Sequence, residues 1–189
     1  VFFAAGVAAC LLTAFLWRRR RVPGGIYLWG SIAAIAIWNL AAAFESSSAT
    51  LAGKIIWSKL QYIGLVNVLP FLLVFVLIYT GKLPKNPPRW VYWFWLIPIV
   101  ELLLAWTNEW HALIWSGFGA IQPHTLLMVY QHGLFFWIGM VYIYSLSTVL
   151  LLLLVAEWAN ARHRTYRWQM GMMVVGAFAP VLGGIVYVS

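Results

Sequence analysis

LQYIGLVNVLPFLLVFVLIY, residues 60–79, is a run of twenty residues without a charge, bounded by Lys59 before it and Lys82 after it. A hydrocarbon core about 30 Å thick takes about 20 helical residues at about 1.5 Å each. This run has that length. Five further apolar segments surround it, and the full set covers about residues 1–17, 26–44, 60–79, 90–106, 134–155 and 170–188. They are too long for barrel strands and lack alternation of period two. Within lipid each backbone group must find its partner inside its own segment, so the segments are read as helices. The expected fold is all-α: one polytopic transmembrane bundle over 1–189, with six helices visible.

Composition agrees. Of 189 residues, 64% are hydrophobic and 8% charged, and the mean hydropathy is +0.88. A soluble domain is about 45–50% apolar and about 25% charged, so a soluble enzyme and a disordered tail are excluded. The net charge of +8 does not indicate nucleic acid. The basic residues form short clusters between apolar runs, with no basic face. Cys10 is the single cysteine and can form no intrachain disulfide.

Lysine and arginine set the orientation. Arg18, Arg19, Arg20 and Arg21 follow the first segment; Lys82, Lys85 and Arg89 follow the third; Arg162, Arg164 and Arg167 follow the fifth. The opposite side holds only Lys54 and Lys59. The positive-inside rule therefore puts the N-terminus outside and the three basic links in the cytoplasm. Trp17, Trp57, Trp90, Trp106 and Trp168 fall at span ends, as headgroup anchors do. Strips of small residues spaced by four, Ala5 and Ala9, Gly30 and Ala34, and Gly176, Pro180 and Gly184, suit close helix approach. Pro70, Pro98 and Pro180 lie within spans and should loosen their helices. The chain opens within an apolar run at Val1 and stops at Ser189 without a polar tail, so a longer protein is expected.

Polar residues within the spans gather toward the outer side: Asn39 and Glu45 on the second segment, Gln61 and Asn67 on the third, Glu101 on the fourth with Asn108 at its end. Intramembrane polar groups usually turn inward. A cluster open to the outside and closed toward the cytoplasm fits a binding cavity, whereas a transport path needs polar groups through the full thickness. The candidate ligand contacts are Asn39, Glu45, Gln61, Tyr62, Glu101, Asn108, His111 and Trp115. Glu101 has two readings, a ligand contact or proton switch, and a structural carboxyl bonded to Asn39, Gln61 or a backbone carbonyl. The outer link 107–133 carries two short β-prone runs around glycines, which suit a hairpin over the helix ends. It also carries His111, His124 and His132, whose spacing matches no compact zinc motif. No metal and no cofactor are expected. No histidine lies mid-span for haem, no buried lysine for retinal, and no nucleophile–base pairing is visible, so catalysis by this chain is not expected.

Several stretches then resemble a known family. Trp57-Ser-Lys-Leu-Gln-Tyr62-Ile-Gly64 with Pro70 and Tyr79-Thr80-Gly81 is similar to the seven-transmembrane N-terminal region of bacterial and archaeal histidine kinases. So are Thr107-Asn108-Glu-Trp-His111-Ala-Leu-Ile-Trp115, Phe136-Trp137 through Tyr142-Ile-Tyr144, and Tyr166-Arg167-Trp-Gln169 with Pro180. The resemblance covers about residues 26–189. It implies a sensor module of the plasma (inner) membrane of a prokaryote, with its N-terminus outside and a seventh helix feeding cytoplasmic output domains. It names no ligand. Two functions follow as expectations. One is a sensor of a two-component protein taking a small extracytoplasmic ligand. The other is a non-catalytic accessory subunit of a larger membrane complex. The expected partners are the lipid bilayer, an unknown ligand, and a second copy or other subunits; no nucleic acid is expected.

Overall fold

The computed structural model describes residues 1–122, 126 and 128–188, the side chains of 177–188 excepted. It is a helix bundle: α1 (Phe2–Trp17), α2 (Gly25–Ser47), α3 (Leu51–Tyr79), α4 (Leu96–Trp106), α5 (Leu134–Asn160) and α6 (Arg164–Val188). A 3₁₀ segment, Arg89–Trp95, leads into α4, and a hairpin of β1 (Trp115–Phe118) and β2 (Tyr130–His132) joins α4 to α5. Among the described residues four helical stretches are long and apolar enough to cross a membrane: Gly25–Ser47, Leu51–Tyr79, Arg89–Trp106 and Leu134–Asn160. With 16 residues, α1 is shorter.

Four helices outrun their apolar segments, for a common reason. Outside the hydrocarbon a helix needs caps and partners, not apolarity. Thr50 caps α3 by accepting from the Gly53 N–H at 3.2 Å, so the helix begins nine residues before Leu60 and runs 29 residues, about 44 Å. It ends in a Schellman turn: Lys82 N–H reaches the Leu77 carbonyl and Gly81 N–H that of Ile78. Gly81 takes φ 74°, a conformation that favours glycine. The fifth and sixth segments lengthen toward each other, and α5 and α6 are separated only by 161–163. The second gains a residue before Ile26 and three after Phe44. The fourth is split. Pro98 lies in the first turn of α4, directly after the 3₁₀ segment. Pro70 does lie inside α3, buried.

Packing runs α1 on α2, α2 along α3, α3 against α4 and α5, and α5 against α6. The α2–α3 seam is the closest. A Cβ at Gly64 would run into the Ala34 carbonyl and the Trp38 backbone, and the Ser31 hydroxyl donates to the Val68 carbonyl at 3.1 Å across it. Gly30 and Ala34 are buried there as their spacing predicted. On α1 the buried small residues are Gly6 and Ala9, not Ala5 and Ala9; Ala5 is exposed. Trp17, Trp90, Trp106 and Trp168 are exposed near helix ends.

The main core joins α3, α5 and α6 through Leu73, Phe75, Val76, Leu146, Leu150, Leu154 and Met170. The three basic links share one end of the bundle. Gly24 lies against Phe75 and Ile78, and Lys82 pairs with Glu157 at 2.9 Å. The hairpin closes the opposite end, so the ten-to-two charge asymmetry of the sequence is also an asymmetry of the fold.

Candidate functional site

At the hairpin end, the last turns of α2, the first turns of α3 and strand β2 meet in a polar network. Lys54 Nζ donates to the Glu45 carbonyl at 2.9 Å and lies 3.4 Å from Glu45 Oε1. Tyr130 donates its hydroxyl to the same Oε1 at 2.8 Å. Its single proton is thereby used, so Ser58, 2.7 Å away, is the donor to the Tyr130 oxygen. Lys54 is 1% exposed at its side chain and Glu45 16%. A buried lysine is costly unless paired, and here its charge meets a carboxylate and a carbonyl. Glu45 thus ties α2, α3 and β2 together.

Beneath the hairpin, Tyr62, Val66, Ala105, Ile114 and Trp115 form a separate apolar cluster. Tyr62 meets Trp115 edge-on at 5.3 Å, and Trp115 also touches Phe118 and Tyr130. β1 and β2 pair antiparallel as Trp115↔His132, Gly117↔Gln131 and Phe118↔Tyr130, with an irregularity between Trp115 and Gly117. The hairpin expected from the β-prone runs is present.

Asn108 and His111 shape the loop. Asn108 Oδ1 accepts from the N–H groups of Ile114 and Trp115 at 2.9 and 3.0 Å, and its Nδ2 donates to the Trp115 carbonyl at 2.9 Å. The side chain does the work of a strand partner in a turn where Ala112 has φ 54°. His111 Nδ1 accepts from Leu113 N–H at 3.1 Å. Thr107 donates its hydroxyl to the Leu103 carbonyl at 2.8 Å, so the 3.0 Å contact to His111 Nε2 is a donation from the ring. Both ring nitrogens are used inside the loop. Outside them Lys59 pairs with Glu109 at 2.6 Å and donates to the Trp106 carbonyl at 3.1 Å. The hydrogen bond from Lys59 holds the Glu109 carboxyl below its ordinary pKa.

Of the eight candidate contacts, Glu45, Tyr62, Asn108, His111 and Trp115 thus meet around the hairpin. Asn39 turns back on its own helix, donating to the Ile35 carbonyl at 2.9 Å. Gln61 is half-buried, with no hydrogen-bond partner among the described residues. Glu101 is buried between α4 and α5, where a Cβ at Gly139 would strike its carboxylate. Its Oε2 has no hydrogen-bond partner among the described residues, and Asn39 donates elsewhere, to Ile35. Among the described residues no cluster of His, Cys, Asp or Glu is arranged to hold a metal ion; His124 lies outside them.

A second polar cluster occupies the basic end, and the depth of polar residues gave no hint of it. Glu157 accepts from Lys82 and, at 3.1 Å, from the Tyr166 hydroxyl. Tyr79 donates to Gln169 Oε1 at 2.9 Å, and its ring stacks on that of Tyr166 at 6.3 Å. Two separate pieces of the recognised pattern, Tyr79-Thr80-Gly81 and Tyr166-Arg167-Trp-Gln169, therefore meet in space and clasp α3 to α5 and α6.

The family model for the N-terminal 7TM region of histidine kinases matches residues 1–189. The chain belongs to this family. No curated protein and no solved structure matched the chain. Membership makes the chain a membrane-embedded region of the sensory, not the catalytic, part of such proteins. The two clusters lie at opposite ends of the bundle, one under the hairpin and one among the basic links.

Proposed function

We propose that this 7TM region is the sensing module of a two-component protein in the plasma membrane, and that a small extracytoplasmic ligand acts on the hairpin latch of Glu45, Lys54, Ser58 and Tyr130. The observation that carries the reading is the span of α3. Its first turns supply Lys54 and Ser58 to the outer latch, and its last turn supplies Tyr79 to the inner clasp. One continuous helix thus touches both polar clusters. A ligand that binds better when the latch is open shifts the balance between two arrangements of α3 against α5 and α6.

The direct test compares kinase output of the full-length protein carrying Tyr130→Phe or Tyr79→Phe. Each variant removes one hydroxyl and keeps the ring. Opening the latch should move output toward the ligand-bound level without ligand, and opening the clasp should weaken the dependence on ligand. Wild-type output and ligand response in both variants would overturn the proposal.

A further inference from the structure

The inner halves of α1 and α2 do not close on each other. Between them lies a groove of about 400 Å³, lined by Cys10, Thr13, Ala14, Trp17, Trp29, Ala33, Ala36 and Ile37. Its origin is in the sequence: alanines from both helices leave a channel that the indoles of Trp17 and Trp29 wall at one end, 5.1 Å apart. The lining is almost wholly apolar, and the groove is open to the surface. Its buried Trp29 Nε1–H has no hydrogen-bond partner among the described residues, an arrangement proteins rarely leave uncompensated.

The mouth of the groove is different. Arg18, Arg19, Arg20 and Arg21 follow Trp17 directly, and the Arg20 guanidinium lies 3.5 Å from the Trp17 ring centroid. Among the described residues none of the four forms an ion pair. The apolar groove therefore reaches the indoles of Trp17 and Trp29, and the four arginines follow Trp17 directly, with Arg20 on its ring. That sequence of chemistries, tail then ester then phosphate, is the order along a phospholipid.

We propose that the α1–α2 groove binds an anionic phospholipid, with one acyl chain along Cys10, Ala14, Ala33 and Ala36 and the headgroup phosphate on the Arg18–Arg21 cluster. The Trp29 indole donates to an ester or phosphate oxygen at the boundary. The arginines supply the preference for negative charge, and the groove supplies the requirement for a chain. Free phosphate satisfies only the first of these, and a neutral lipid only the second.

The test uses the full chain in detergent, with native mass spectrometry and protection of Cys10, which lines the groove, from alkylation. Phosphatidylglycerol should bind about tenfold more tightly than phosphatidylcholine of the same chains, and should slow Cys10 alkylation by a similar factor. Replacing all four arginines by glutamine should make the two lipids equivalent. Ala14→Leu with Ala33→Leu fills the groove from its open side and keeps every charge; it should abolish the preference. Retention of the preference in that filled variant would overturn the site, because the arginines would then be attracting a charged surface in general. Protection of Cys10 by inorganic phosphate alone, or Cys10–Cys10 crosslinking that persists at saturating phosphatidylglycerol, would overturn it in favour of a free anion or a second copy.

Discussion

Replacing Tyr130 by phenylalanine removes one oxygen and leaves the ring in its contacts with Trp115 and Phe118. The oxygen makes two hydrogen bonds, a donation to the Glu45 carboxylate at 2.8 Å and an acceptance from Ser58 at 2.7 Å. A bond to a charged group contributes about 1.5–3 kcal/mol and a neutral one about 0.5–1.5 kcal/mol. Glu45 keeps Lys54 at 3.4 Å and is partly exposed, so the loss falls below that sum. The expected destabilisation is about 2 kcal/mol. Because the effect is assigned to Glu45, the informative measurement is a double-mutant cycle of Tyr130→Phe and Glu45→Gln, read by denaturant unfolding in micelles. The two should couple by about 1–2 kcal/mol, since either change alone already loses most of their shared bond. Additivity within about 0.5 kcal/mol would refute the latch as an energetic unit.

Gly64→Leu should prevent stable accumulation of the protein, because its side chain must displace the α2 backbone at Ala34 and Trp38; normal expression and melting would show that α2 and α3 pack more loosely. Glu101→Leu should leave stability unchanged or raise it, since the carboxyl makes no hydrogen bond among the described residues and its burial is unrewarded; a loss above about 2 kcal/mol would reveal partners. Gly139→Ala should destabilise through the Glu101 carboxylate and be rescued by Glu101→Ala, which thermal melting of the single and double variants checks. His132, stacked on Phe136 at 3.7 Å, has its pKa held below the ordinary 6.5 by desolvation. The unfolded chain then takes up the proton first, so stability should fall as pH drops below 6.5. His132→Gln should flatten that slope, and an unaltered slope would assign it to other groups.

The spans were legible because the bilayer imposes one length and one chemistry on whatever crosses it. The hairpin was legible from β-prone runs around glycines. The extent of α3 was not: Lys54, Ser58 and Lys59 look like a link, and only the Thr50 cap and the partners of Lys54 make them helix. Depth alone grouped Glu101 with Asn39 and Gln61, but depth says nothing of azimuth. Glu101 turns toward Gly139 on α5, and Asn39 spends its amide on Ile35. The inner clasp was missed for a related reason. Tyr79, Glu157, Tyr166 and Gln169 sit at helix ends, where polar residues are ordinary, and their meeting depends on how α3, α5 and α6 pack.

On the proposed function, the placement of polar groups makes α3 the element on which a signal would act. Its middle is locked into apolar packing, with Leu73 and Val76 in the core shared with α5 and α6. A shift confined to that middle would open voids in a close-packed interior. At its two ends, by contrast, Lys54, Ser58 and Tyr79 make hydrogen bonds and an ion pair to α2, β2 and α6. Each neutral bond exchanged for water or ligand changes the free energy by about 0.5–1.5 kcal/mol and each bond to a charged group by about 1.5–3 kcal/mol. Because α3 runs unbroken from the latch to the clasp, a tilt about its packed middle would move both ends together. On the proposed function, opening the latch then displaces Tyr79 through α3 itself, the element that carries both Lys54 and Tyr79.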